Sequence, residues 1–224
     1  MPSGLRRRKD DERKARSRKT LMDAARRTFA RRGYHQTLIS DIVSEARMGQ
    51  GTFYRHFESK RQVFEAIVDQ FIADLLAPFA EMSEHLPTGV DEYRAASLRA
   101  VGRVAEFLER NREIAGLFLR EAVGIDRGFE EKIAGFYDRL AALARFYLDH
   151  AIARGFARPC HSGVVSQSLM GVALRLIDSF WRGSFPDLTA QDLIREVVDF
   201  AFFGFGPRAA GPLSIPEPKA PSGE

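Results

Sequence analysis

The sequence predicts an all-α chain, with a small three-helix unit at its start and a larger helical body behind it. Three observations carry this. Apolar residues recur at three- and four-residue steps through most of the 224 residues. No stretch shows the alternation of a strand. Gly, Pro and polar clusters fall at intervals that bound segments of helix length.

Residues 12–32 form the first helix, with Leu21, Ala25, Thr28 and Phe29 on one face and Arg/Lys on the other. Gly33 ends it as a C-terminal cap. "YHQT" is a turn, and Thr37 is the N-cap of a short second helix, "LISDIVSEA", with Ile39, Ile42 and Val43 inward. "RMG" turns again, and a third helix spans about 50–56. Ser59 caps a long fourth helix, 60–83, whose Val63, Phe64, Ile67, Phe71, Leu75 and Phe79 mark one face. Further helices are expected at about 90–110, 112–123, 127–155, 163–183 and 189–205, separated by "RN", "GID", "GFARPCHSG" and "GSFPDLT". The tail from Pro207 is rich in Pro, Gly and Ala, which predicts disorder over 207–224.

Net charge is only +4, but its distribution is uneven. Residues 1–60 hold 16 Lys and Arg against 7 Asp and Glu, and the remainder holds 18 against 23. A basic head on a mildly acidic body points the head at a polyanion. No apolar run reaches membrane-spanning length, and the polar start has no apolar core of a secretory signal, so a cytoplasmic protein is expected. The one cysteine, Cys160, excludes an intrachain disulfide and a Cys-based zinc site. The five histidines lack ligand spacing, so neither metal nor cofactor is expected. No nucleophile–base pair or Gly-rich phosphate loop argues for an enzyme.

The informative stretch is "GQGTFYRHFESKRQVF", Gly49–Phe64. Helices two and three are joined by a very short turn, the spacing of a helix-turn-helix whose second helix enters a DNA major groove. Phe53 and Phe57, four residues apart, suit the core side, with Met48 from the turn. Gln50 pairs with adenine N6 and N7. Thr52 offers a methyl to thymine or a hydroxyl to phosphate. Arg55 reaches guanine O6 and N7 or a phosphate. Gly51 lets the backbone approach, and Tyr54 and His56 suit phosphate oxygens. Lys60 adds a cation at the start of the fourth helix, where free backbone N–H groups also attract anions. In the basic stretch "RRRKDDERKARSRK", Arg13–Lys19 are assigned to DNA and Arg6–Lys9 are left open.

"GTFYRHFESK" resembles the signature of the TetR family of transcriptional regulators, and "AARRTFARRGYHQTLISDIVSEA" is similar to that family's first two helices. The likeness covers about 15–65. It implies phosphate contacts from Tyr54, His56 and Lys60. Two departures stand out: Arg47 and Gly49 replace the turn's usual Gly and the usual Ser or Thr. Arg47 becomes an extra phosphate contact on this reading. Leu38 sits where a small hydroxyl residue is common, so Ser40 takes over a phosphate contact, beside Thr37. The implied organisation is a basic disordered arm at 1–11, a helix-turn-helix DNA-binding domain at 12–60, and a ligand-binding and dimerisation domain at 61–206.

In the body, the resemblance implies a pocket for a small hydrophobic or aromatic effector. Its expected wall is Phe107, Phe118, Phe136, Leu140, Met170, Leu174 and Ile177. Arg120, Glu121 and Arg175 interrupt apolar helices and serve either a polar ligand group or buried ion pairs. The last two helices are apolar nearly all round, which requires burial on both sides. Val165, Leu169, Val172, Leu176, Ile194, Val197, Val198, Ala201, Phe202 and Phe205 are therefore assigned to a homodimeric four-helix interface. Two recognition helices about 34–36 Å apart would read a palindromic operator. The expected function is a ligand-released repressor, with an activator of the same fold as the alternative. A helical enzyme lacks a nucleophile–base pair, metal set or phosphate loop, and a membrane-surface or RNA binder using the basic arm alone leaves Gly49–Lys60 unexplained.

Overall fold

The computed structural model describes residues 3–121 and 125–204, with the backbone alone for 3–6 and 119–121. The described elements are all helices: α1 (Ser3–Gln36), α2 (Ile39–Glu45), α3 (Gln50–Tyr54), α4 (Lys60–Glu84), α5 (Val90–Arg110), α6 (Arg112–Glu121), α7 (Arg127–Ala153), α8 (Ser162–Trp181) and α9 (Ala190–Phe203). None of them is long and apolar enough to cross a membrane. The tail expected from 207, and Phe205, lie outside the described residues.

Helix α1 departs most from expectation. It begins at Ser3, so residues 3–11 are helical rather than a disordered arm. No residue between Gly4 and Gly33 breaks the pattern, and Arg8–Glu12 and Lys19–Asp23 pair four residues apart. Gly33 (φ 76°, ψ 165°) interrupts the helical path, a conformation that favours glycine.

The second helix also starts differently. Leu38 holds the N-cap position, and its N–H donates to the Asp41 carboxylate at 2.9 Å. Thr37, one residue earlier, is fully buried, and its hydroxyl donates to the Gly33 carbonyl at 2.8 Å. Ser59 does cap α4, accepting from Gln62 N–H at 3.2 Å.

Helix α1 packs on α2, α4 and α6, α5 lies between α4 and α9, and α7 packs along α8. One core runs without interruption from Leu21 to Phe136. Aromatic rings link its parts. Phe29 meets Phe64 edge-on at 5.3 Å, and Phe64 meets Phe129 at 5.3 Å. Further along, Phe71 meets Phe118, which meets Phe136 edge-on, both pairs at 5.5 Å. Each fully buried Phe contributes about 1.5–3 kcal/mol relative to exposure.

Candidate nucleic-acid interface and cavity

The turn between α2 and α3 is closed by its own backbone. Arg47 N–H donates to Ser44 and Met48 N–H to Val43, at 3.0 and 2.9 Å. Arg47 takes a left-handed φ of 53°, uncommon for a residue with a Cβ. Gly49 caps α3 without a side chain. Phe53 and Phe57 are buried as expected, with ring centroids 5.8 Å apart. Their burial leaves Gln50, Gly51, Tyr54 and Arg55 exposed, Tyr54 by 56%, and Thr52 half-buried. Ser40 and Arg47 are exposed beside them. Helix α3 is shorter than expected, and Arg55 serves as its C-cap.

Three expected DNA contacts have other work in the chain. Thr37 is corrected outright: its buried hydroxyl braces the Gly33 turn and has no route to a ligand. His56 is half-buried, with Nε2 2.6 Å from Ser17 Oγ, tying the end of the recognition segment to α1. Burial lowers its pKa, and Lys14, Arg55 and Arg18 push the same way. Lys60 Nζ donates to the carbonyls of Tyr34 and His35 at 2.8 and 3.2 Å, and lies 4.5 Å from the Tyr34 ring centre. Desolvation lowers its pKa.

The side chains that orient this unit escaped the sequence reading. Glu45 receives Arg27 and Arg31 at 2.8 and 2.6 Å, which drop its pKa to about 2. Arg32 pairs with Asp41 at 2.9 Å, and Arg18 lies over Phe57 at 4.8 Å. Ser17 is 39 residues from His56, and no local spacing advertises such a pair. At the start of α4, Arg61 donates to Asp126, the N-cap of α7, at 2.8 Å.

A cavity of about 210 Å³ lies among helices α4–α9. Phe118, Phe136, Leu140, Met170, Leu174 and Ile177 line it as expected. Phe107 instead packs on the Phe71 ring at 5.2 Å, outside the lining. Arg175 is exposed and pairs with Asp178 at 2.9 Å, so it is not a pocket group. The Arg120 and Glu121 side chains lie outside the described residues.

Several residues assigned to a dimer face turn out to be internal. Leu176, Ile194 and Val197 line the cavity. Val198 is 4% exposed, and Phe202 packs on Tyr93 at 5.1 Å, because α5 covers this side of α9. Val165, Leu169 and Val172 are half-buried, and Ala201 is exposed. The large apolar groups left outward on α8 and α9 are Val164, Phe200 and Phe203.

Residues 21–67 match the family described as bacterial regulatory proteins, tetR family. The HTH-type transcriptional regulator YdgC of Bacillus subtilis (strain 168) is 27% identical over 199 residues, covering 86% of this chain and 94% of YdgC. Among solved structures, the transcriptional regulator FadR of Bacillus subtilis, in complex with stearoyl-CoA, has a TM-score of 0.68 at 16% identity. That match covers 84% of this chain and 98% of FadR. AibR, in complex with isovaleryl coenzyme A and operator DNA, has a TM-score of 0.62 at 19% identity, over 83% and 98% of the two chains. These structural likenesses establish the shared fold.

Proposed function

We propose that the chain, a DNA-binding transcriptional regulator of the TetR type, works as a cytoplasmic dimeric repressor, released from a palindromic operator by a small hydrophobic effector. The observation that carries this is α3. Two buried phenylalanines hold a short helix whose outer side is Gln50, Gly51, Tyr54 and Arg55. Those groups suit base edges and phosphates, and nothing in the chain's own packing accounts for their presence together. Thr52, Ser40 and Arg47 flank them. Lys60 and His56 act mainly as braces on this reading, and reach phosphate only by exchanging an internal partner.

Residues 12–60 form the reading unit and 61–206 the sensing and assembly unit. The apolar cavity supports a hydrophobic effector. Helix α4 links the two: it begins at Lys60 beside the reading unit and supplies Phe71, Leu75 and Phe79 to the cavity wall. An effector that prefers the cavity shape found with the heads spread lowers operator affinity by that preference and no more. Dimerisation uses the exposed Val164, Phe200, Ala201 and Phe203 and the half-buried Val165, Leu169 and Val172 of α8 and α9, with half-sites about one helical turn apart.

Genome fragments captured by the purified full chain at moderate salt test the reading. A shared palindrome is the expected result. Sequence-blind capture, repeated after the protein has been unfolded and refolded to strip ligand, would refute it.

A further inference from the structure

The cavity has an almost wholly apolar wall and one carboxylate. Among the described lining residues, Glu109 is the sole ionisable group and the Trp181 indole N–H the sole other polar side-chain group. The Glu109 side chain is 53% exposed while it also lines the cavity, so it stands at the rim.

This carboxylate is thinly partnered. Trp181 Nε1 donates to it at 3.3 Å, and the Arg112 guanidinium is 3.9 Å away. The short bond of Arg112, 2.6 Å, goes to the Trp181 carbonyl instead. A carboxylate accepts at about four lone-pair sites, so most of its capacity faces outward from these partners.

Size narrows the ligand further. A water molecule's share of liquid volume is about 30 Å³, and an engineered apolar cavity of about 150 Å³ takes benzene. The 210 Å³ present here therefore suits a body of about seven to nine heavy atoms.

We propose that the effector is a compact apolar molecule of that size with one hydrogen-bond-donating end, a hydroxyl or an ammonium, laid against Glu109. A free carboxylate end is disfavoured there by like charge. This rests on the ligand-released reading of the same cavity.

The test uses the full chain, whose single tryptophan, Trp181, lies in the cavity wall and reports occupancy by its fluorescence. Heptanol, heptylamine and heptanoate are titrated into the wild type and Glu109→Gln. Heptanol and heptylamine are expected to bind, with heptanoate at least about tenfold weaker. In Glu109→Gln that gap closes. Equal or tighter binding of heptanoate, a ranking unchanged in Glu109→Gln, or silence from all three probes would overturn the assignment. Parallel operator-binding assays separate the two readings. Probes that bind without releasing operator remove the release mechanism and leave the ligand class standing. Release by some other compound, with the probes silent, does the reverse.

Discussion

Lys60 Nζ donates to the Tyr34 carbonyl at 2.8 Å, so the first residue of α4 closes the end of α1. The two segments are 26 residues apart in sequence. The bond joins the helix that reaches the cavity to the helix that carries the reading unit. It also gives Lys60 a structural role where the sequence suggested a free cation.

Lys60→Met keeps the aliphatic stem and removes the charge. It is expected to lower stability by about 1–2 kcal/mol through the lost bonds and ring contact. Urea denaturation measures this. If Lys60 served phosphate alone, stability would hold and operator affinity would fall.

Arg47 is strained and exposed. Arg47→Gly relieves the positive φ and is expected to stabilise the chain by about 0.5–1 kcal/mol, after allowance for the looser unfolded state. The same change should weaken operator binding and flatten its dependence on log salt by about 0.9 if Arg47 meets one phosphate. A gain in melting temperature with operator affinity unchanged would remove Arg47 from the interface.

Acid acts on the chain in two windows. The His56 pKa is depressed below 6.5 in the folded chain, so protonation favours the unfolded state. Its contribution is complete above 6.5 and is lost as pH falls through the folded value. Melting temperature should therefore decline as pH drops below 6.5, and decline less in His56→Gln. Glu45 and Asp126 are also depressed, from 4.5 and 3.8 to about 2. Their contributions are complete above those ordinary values and are lost as pH falls toward 2. Melting curves with Glu45→Gln should differ from wild type through a weaker loss in the second window.

Arg61 and Asp126 fasten the start of α4 to the start of α7. Asp126→Asn keeps an oxygen to cap α7 and loses the ion pair. Faster amide exchange is expected at both helix starts, with α9 unaffected. Adding Arg61→Ala should then cost less than it does alone, the remainder coming from its contacts with Glu65 and the Phe129 ring. Additive effects of the two substitutions would show that the pair does not act as a unit.

Periodicity made the helices legible, and motif chemistry made the recognition segment legible. Phe53 and Phe57 are buried where their spacing placed them, and Gln50, Tyr54 and Arg55 are exposed. The misassigned dimer-face residues share a cause. An apolar stripe states that a face is covered, not what covers it. Leu176, Ile194 and Val197 read as a dimer seam and instead line an internal space. Val198 and Phe202 lie against α5, which no spacing within α9 could announce. Thr37 is a good cap residue by type, yet the backbone starts α2 one residue later and buries it. At the start of α1 local charge suggests an arm, while pairs such as Arg8–Glu12 favour helix.

The aromatic contacts from Phe29 through Phe64 to Phe129 cross residue 60 without a gap in the core. The reading unit is thus not a bead on a string. It borrows cohesion from α4, α6 and α7, and a fragment ending at residue 60 would lose the Phe64 ring that packs on Phe29 and Tyr34. Heat should melt reader and sensor in a single endotherm, with calorimetric and van't Hoff enthalpies in agreement. A mutation deep in the body that costs stability would then silence the reader in living cells without touching a single residue that faces DNA.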